Sequence, residues 1–177
     1  MRKLILFVCA IAAVVALTLS AGASGQTSGV LSVDDGRGVV ILDLRGVVLG
    51  RLTSGTLRVT DHTPRDRFEE IVNGRFVQED RLGPRTTLYR GQGLRFRMVG
   101  GRYRIVARGT GITVSAIGRG LVHLDGEPRV PGEPAGLYSI NDGTDCSLEP
   151  TLCTPLPELR ESFVLGGIEE SPQPRQS

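Results

Sequence analysis

Lysine is all but missing from this chain: Lys3 is the only one in 177 residues, and tryptophan does not occur. Histidine appears twice, as His62 and His123, and cysteine three times, as Cys9, Cys146 and Cys153. A structural zinc site takes four suitable ligands, and no histidine lies within twenty residues of Cys146 or Cys153, so no metal is expected there. A serine hydrolase needs nucleophile, base and orienting acid brought together, and Gly-x-Ser-x-Gly does not occur. Glu69-Glu70 and Glu79-Asp80 are sequence neighbours. In extended chain such neighbours point apart, unlike the facing carboxylates of a glycosidase. The sequence implies no cofactor.

What is present begins with an address. Arg2 and Lys3 precede an uncharged apolar run over 4–19, followed by Ala21-Gly22-Ala23. Charge, short apolar run and small residues make a Sec-type secretory signal over 1–23. An uncleaved anchor is the rival, but a span takes about 20 apolar residues. Cys9 leaves with the signal. Cys146 and Cys153 then form an even pair in an exported chain, which predicts a disulfide. The expected location is secreted or envelope-associated, with no membrane span after cleavage.

After residue 23 the chain carries nineteen arginines, nineteen acids and no lysine. Arginine spelling of this kind suits a GC-rich bacterial genome. The charges are unevenly placed. Residues 24–124 hold sixteen arginines against nine acids, and 125–177 hold three against ten.

From 36 onward, short alternating runs are cut by glycine, the pattern of strands and turns. Gly36-Arg37-Gly38, Gly91-Gln92-Gly93, Gly109-Thr110-Gly111 and Gly118-Arg119-Gly120 each precede apolar residues. No helix pattern follows and the third glycine of a dinucleotide fingerprint is missing, so these triplets read as turns. Gly91, Gly100, Gly109 and Gly118 stand nine apart. The fold class expected is all-β, a small antiparallel meander closing into a barrel or sandwich, with a short β-solenoid as the alternative. Asn73-Gly74 between apolar pairs predicts a hairpin. The plan is a polar lead-in over 24–35, a β domain over 36–145 and a disulfide- and proline-rich segment over 146–165. A disordered tail over 166–177 completes it. Within this plan 137–140 is one last strand and 158–163 one helical turn.

One constellation points to binding. With Gly100-Gly101 as a two-residue hairpin turn, Arg97 faces Arg104, and Leu94, Phe96, Met98, Tyr103, Ile105 and Ala107 share the core side. Arg95, Arg97, Arg102, Arg104 and Arg108 then share the other. Like charges directly opposite on a sheet are unfavourable, so this face asks for solvent, for a cover or for a ligand. The cover would be the chain's own acids, Asp142, Asp145 and Glu149. The ligand would be a phosphate or carboxylate of an envelope polymer or a lipid headgroup. Nucleic acid fits poorly, because the aromatics point inward and are unavailable for stacking. The expectation is a non-catalytic binding or structural module. The alternative is an extracellular hydrolase built on Asp61 and His62, although that aspartate equally suits a turn bonding its own backbone. Asn141 to Asp145 offers oxygens for calcium, but it is too short for an EF-hand loop.

Overall fold

The structure is a computed structural model that describes residues 26–65 and 70–168. The 1–23 signal and residues 169–177 of the expected 166–177 tail lie outside the described residues, whereas 166–168 are described and include the strand residues Gly167 and Ile168. The chain divides into two compact units. Gln26–Gly167 carries the fold; of Met1–Gly25 with Ile168–Ser177, only Ile168 is described. The strands are β1 (Gln26–Thr27), β2 (Gly29–Asp61), β3 (Ile71–Gly83), β4 (Thr86–Gly126), β5 (Leu137–Ile140), β6 (Thr154–Pro155), β7 (Glu161–Leu165) and β8 (Gly167–Ile168).

β2 and β4 are far longer than ordinary strands because each bends several times without leaving the sheet. Their pairing shows how. Val39 is opposite both Arg108 and Asp125, and Leu57 is opposite both Tyr89 and Ala107. The long hairpin β2–β4 is therefore wound into a coil, and it meets itself again after seventeen or eighteen residues. β2 to β7 form one unclosed antiparallel sheet, folded over into two layers, and β1 and β8 a separate two-stranded sheet. Layer A holds, in hydrogen-bonded order, residues 137–140, 29–36, 110–118, 46–53, 94–99 and 71–73. Layer B holds 161–165, 119–126, 38–45, 102–109, 54–61, 86–92 and 75–83. Jelly-roll sandwiches also stack two antiparallel sheets of this kind.

Alternation fills the space between the layers. Leu31, Val33, Val48, Leu52, Leu94, Phe96, Met98, Ile112 and Val114 of layer A bury against Leu42, Leu44, Leu57, Val59, Tyr103, Ile105 and Leu124 of layer B in one cluster. Gly50 takes an inward position of its own, and the ring of Phe96 occupies the space its side chain would need: a Cβ there would lie 2.2 Å from Cζ.

The nine-residue glycine spacing marks the bends. Gly91, Gly55, Gly109, Gly38 and Gly126 stand opposite one another across five strands, and Gly29, Gly118 and Gly46 form a second row. Where the two layers converge, an inward Cβ would run into the neighbouring backbone. At Gly109 it would lie 2.0 Å from the Ser54 carbonyl, with φ at 150°, and at Gly55 2.1 Å from that of Arg108.

The all-β antiparallel domain and its disulfide-stapled C-terminal segment are as expected, in the form of a two-layered sandwich. The pairing is antiparallel throughout, so the parallel coils of a solenoid are not formed. Four local expectations are corrected. Residues 29–35 are strand rather than lead-in, because Leu31 and Val33 find the core. Gly100-Gly101 is a bend between layers, not a hairpin turn: Met98 is opposite Val48 and Tyr103 opposite Leu44. Asn73-Gly74 lies within one strand, where Phe76 takes the positive φ of 53°. The hairpin turn proper is Pro84-Arg85, between the paired Gly83 and Thr86. Glu161–Leu165 is strand, paired with 120–124, where a helical turn was predicted. The last strand over 137–140 is found, paired with residues 31–34.

Cys146 and Cys153 are bonded, with Cα atoms 5.8 Å apart. Cys146 is fully buried, and its amide donates to the Ser32 hydroxyl at 3.0 Å, fixing the C-terminal segment to the first stretch of β2.

Two measurements check this account. Gly109→Ala is expected to cost about 2 kcal/mol or more, from the left-handed backbone and the clash together. Gly83→Ala meets nothing within 4 Å and should stay within about 0.5 kcal/mol of the parent. Equal urea midpoints for the two would refute the role assigned to the glycine rows. Reducing the disulfide, which closes a separation of seven residues, should lower stability by about 2 kcal/mol on the loop-entropy relation. Urea melts with and without reductant read this directly.

Candidate anion-binding surface

Because Gly100-Gly101 is a bend, the five arginines of the expected ribbon separate. Arg95 and Arg97 project from layer A, and Arg102, Arg104 and Arg108 from layer B, on the opposite outer face. All five are exposed. Arg97 stands opposite Leu49 and Ile71, while Arg104 stands opposite Asp43 and Thr60. The direct Arg97–Arg104 confrontation therefore does not occur.

On layer B the charge is partly answered. Asp43 pairs with Arg102 at 3.3 Å and with Arg104 at 3.8 Å. Arg45 has Arg119 on one side and Arg102 on the other, three like charges in one cross-strand row. Asp43, Arg45, His62, Arg102 and Arg119 line a cleft of about 520 Å³. Its carboxylate is already committed to guanidinium groups.

On layer A the arrangement differs. Arg51 is directly opposite Arg95, Arg95 is opposite Asn73, and Arg75 is opposite Gln92. These residues, with Thr53, line a cleft of about 580 Å³ at the bend of β4. Its lining contains three guanidinium groups, two amides and a hydroxyl, and no carboxylate. Among the described residues Arg51, Arg75 and Arg95 form no ion pair; those formed use Asp43, Asp80 and Asp125. Guanidinium groups offer planar, bidentate donor sets to phosphate, sulfate or carboxylate. This cleft gathers three such groups around one concavity. Arg51 and Arg75 were missed in the sequence because the register that brings them to Arg95 joins residues far apart in the chain.

Among the described residues, Asp142 and Asp145 form no ion pair with these arginines. Asp142 accepts from the Ser139 hydroxyl and from the Thr144 amide, and Asp145 from the Ser147 hydroxyl and amide. Each carboxylate serves its own turn. The segment lies beside residues 29–36 and 119–126, at the edge of the fold remote from 71–75.

Asp61 is buried and accepts from the Thr63 amide at 2.7 Å. Its carboxylate is thus engaged in the turn, while His62 is exposed on the rim of the layer B cleft. One pairing that the sequence did not show is His123 Nδ1 to Ser162 Oγ, 2.7 Å across the β4–β7 ladder. Among the described residues no carboxylate bonds the other ring nitrogen of His123, the orienting contact a nucleophilic serine requires. Among the described residues no group of three or more metal-ligating side chains occurs.

No protein-family model, no curated protein and no solved structure matches this chain.

The turn acids yield a pH prediction. The Ser139 hydroxyl first, then the Thr144 amide, hold Asp142 below its ordinary value; the Ser147 hydroxyl and amide do the same for Asp145. A lowered folded value contributes stability above the unfolded value that is lost as pH falls through the folded one. The turns around the disulfide should therefore hold through mild acid and loosen only below the ordinary aspartate range. Carboxyl-carbon NMR titration should give midpoints for both groups below that of an unstructured aspartate; ordinary midpoints would refute the assignment.

Proposed function

We propose that the protein is an exported, non-catalytic binding module of the cell envelope or extracellular space, which holds anionic groups with arginines on its outer surface. The observation that carries this reading is the cleft where Arg51, Arg75 and Arg95 converge without a carboxylate. Three guanidinium groups that form no ion pair among the described residues stand around one concavity, where they raise the local potential and leave donors open to a ligand. The signal pattern over 1–23 and the Cys146–Cys153 disulfide support an oxidising, extracytoplasmic location. Among the described residues no helix is long and apolar enough to cross a membrane.

The amides of Asn73 and Gln92 and the hydroxyl of Thr53 add neutral donors and acceptors to the cleft. That combination suits an oxygen-rich anion carried on a polar scaffold, such as an acidic envelope polymer. The test is a titration of the purified protein with dextran sulfate over a salt series, beside co-sedimentation with the producer's envelope fraction. Affinity should fall steeply as salt screens the contact. Arg51→Ala together with Arg95→Ala should weaken it tenfold or more, whereas Arg108→Ala, on the other outer face, should change it less than twofold. Absence of binding at low salt would leave these arginines as ordinary surface charge.

A further inference from the structure

The outer face of layer A carries an apolar stripe where a solvated sheet face would carry polar side chains. Val30, Ile117, Val47 and Val99 stand side by side in one cross-strand row. The next row places Ile71, Arg97, Leu49 and the exposed Ser115 side by side. Ile117, Leu49 and Ile71 are 53%, 46% and 50% exposed. Arg95 and Arg51 form the row beyond. Among the described residues on these three rows the carboxylate is that of Asp34, at the far end, where it already accepts from the Thr113 hydroxyl at 3.3 Å.

The face thus carries one apolar row across four strands, with Leu49 and Ile71 beside it and, among the described residues, arginines that form no ion pair. Four strands at 4.7–4.9 Å spacing give it a width of roughly 14 Å, with only a shallow concavity over Leu49 and Gly50. A second copy of the chain docked face to face about an axis along the strands would oppose arginine to arginine. A soluble polyanion would satisfy the cations and leave the valine–isoleucine–leucine band in water. A surface that is anionic outside and apolar beneath satisfies both. Arginine stems lie along apolar groups while their heads stay at the polar level, and interfacial binding scales with buried apolar area plus attraction to anionic lipid.

We infer that the outer face of layer A docks on an anionic lipid surface. Val47, Leu49, Ile71 and Ile117 enter the headgroup boundary, and Arg51, Arg95 and Arg97 contact the phosphates. This deepens the anion-binding reading and rests on it.

The test is co-sedimentation of the full chain with vesicles of phosphatidylglycerol and phosphatidylcholine, and with vesicles of phosphatidylcholine alone. Dextran sulfate and glycerol phosphate serve as the soluble anions. Leu49→Ser with Ile117→Ser removes apolar surface from exposed positions and keeps every charge. The parent should bind the anionic vesicles and not the neutral ones. The double variant should lose tenfold or more of its vesicle affinity while its dextran sulfate affinity stays within twofold. Equal binding to neutral vesicles, or vesicle binding untouched by the double variant, would overturn the proposed docking. Retained dextran sulfate binding with no vesicle binding would overturn the lipid inference alone and leave the anion-binding reading standing. Loss of both would end the two together.

Discussion

The structure depends on backbone meeting backbone at the two bends of the coil. A hairpin wound on itself must carry each strand from one layer to the other, and at that edge the inward side of the chain has no core to point into. Glycine is the residue without an inward atom. Gly55 faces both Gly91 and Gly109, and Gly109 faces both Gly55 and Gly38. The rows run across the strands because every strand must bend at the same edge. At Gly38, Gly46, Gly55, Gly109 and Gly118 a Cβ would come within 2.3 Å of a neighbouring strand's carbonyl oxygen and force the ladder apart. The core between the bends is forgiving by comparison, since its Leu, Val and Ile positions need only be apolar and alternate.

This division explains what was legible in the sequence. Alternation depends on the chain alone, so the strands, their core faces and the disulfide-bearing segment could be read. The nine-residue glycine spacing could also be seen, as a rhythm without an assigned meaning. Which strand sits beside which could not. A Gly-Gly hairpin and a Gly-Gly bend both leave Met98 and Tyr103 pointing inward, and both accept positive φ at residues 100 and 101. Period two is indifferent to the choice. The choice was made by partners more than forty residues away, Val48 for Met98 and Leu44 for Tyr103. Residues 29–35 were misread for a related reason. Gly29, Ser32, Asp34 and Asp35 make the stretch look polar, yet Leu31 and Val33 are enough to bury one face.

The candidate site was legible in residue type and not in membership. Exposed arginines over 95–108 were expected and are found, but on two opposite faces. Cross-strand register breaks that group and makes another, Arg51 and Arg75 with Arg95. The uneven charge of the sequence keeps a spatial form. In layer A the acidic C-terminal segment pairs beside 29–36, and the arginine cleft lies at the opposite edge, against 71–75. Four strand spacings separate 137–140 from 94–99, roughly 19 Å. That exceeds the screening length at physiological salt, about 8 Å. The acids therefore do little to neutralise the cleft, and the near-zero net charge after residue 23 conceals a strongly polarised surface.

The two constraints meet at one place. Between residues 91 and 94, β4 bends from layer B to layer A, and β3 follows it around the outside with irregular pairing between Asn73 and Arg75 and between Arg75 and Gln78. β3 and β4 each spend five residues between the Asn73–Arg95 and Gln78–Arg90 pairs, so the two offsets cancel; within this stretch Phe76 takes its positive φ and stands largely exposed. The departure from register leaves open the concavity that Asn73, Arg75 and Gln92 line together with Arg51 and Arg95. The cleft is therefore a consequence of how the hairpin coils. The glycines that close the fold at its edge also create the surface depression, and the sequence has placed arginines around it.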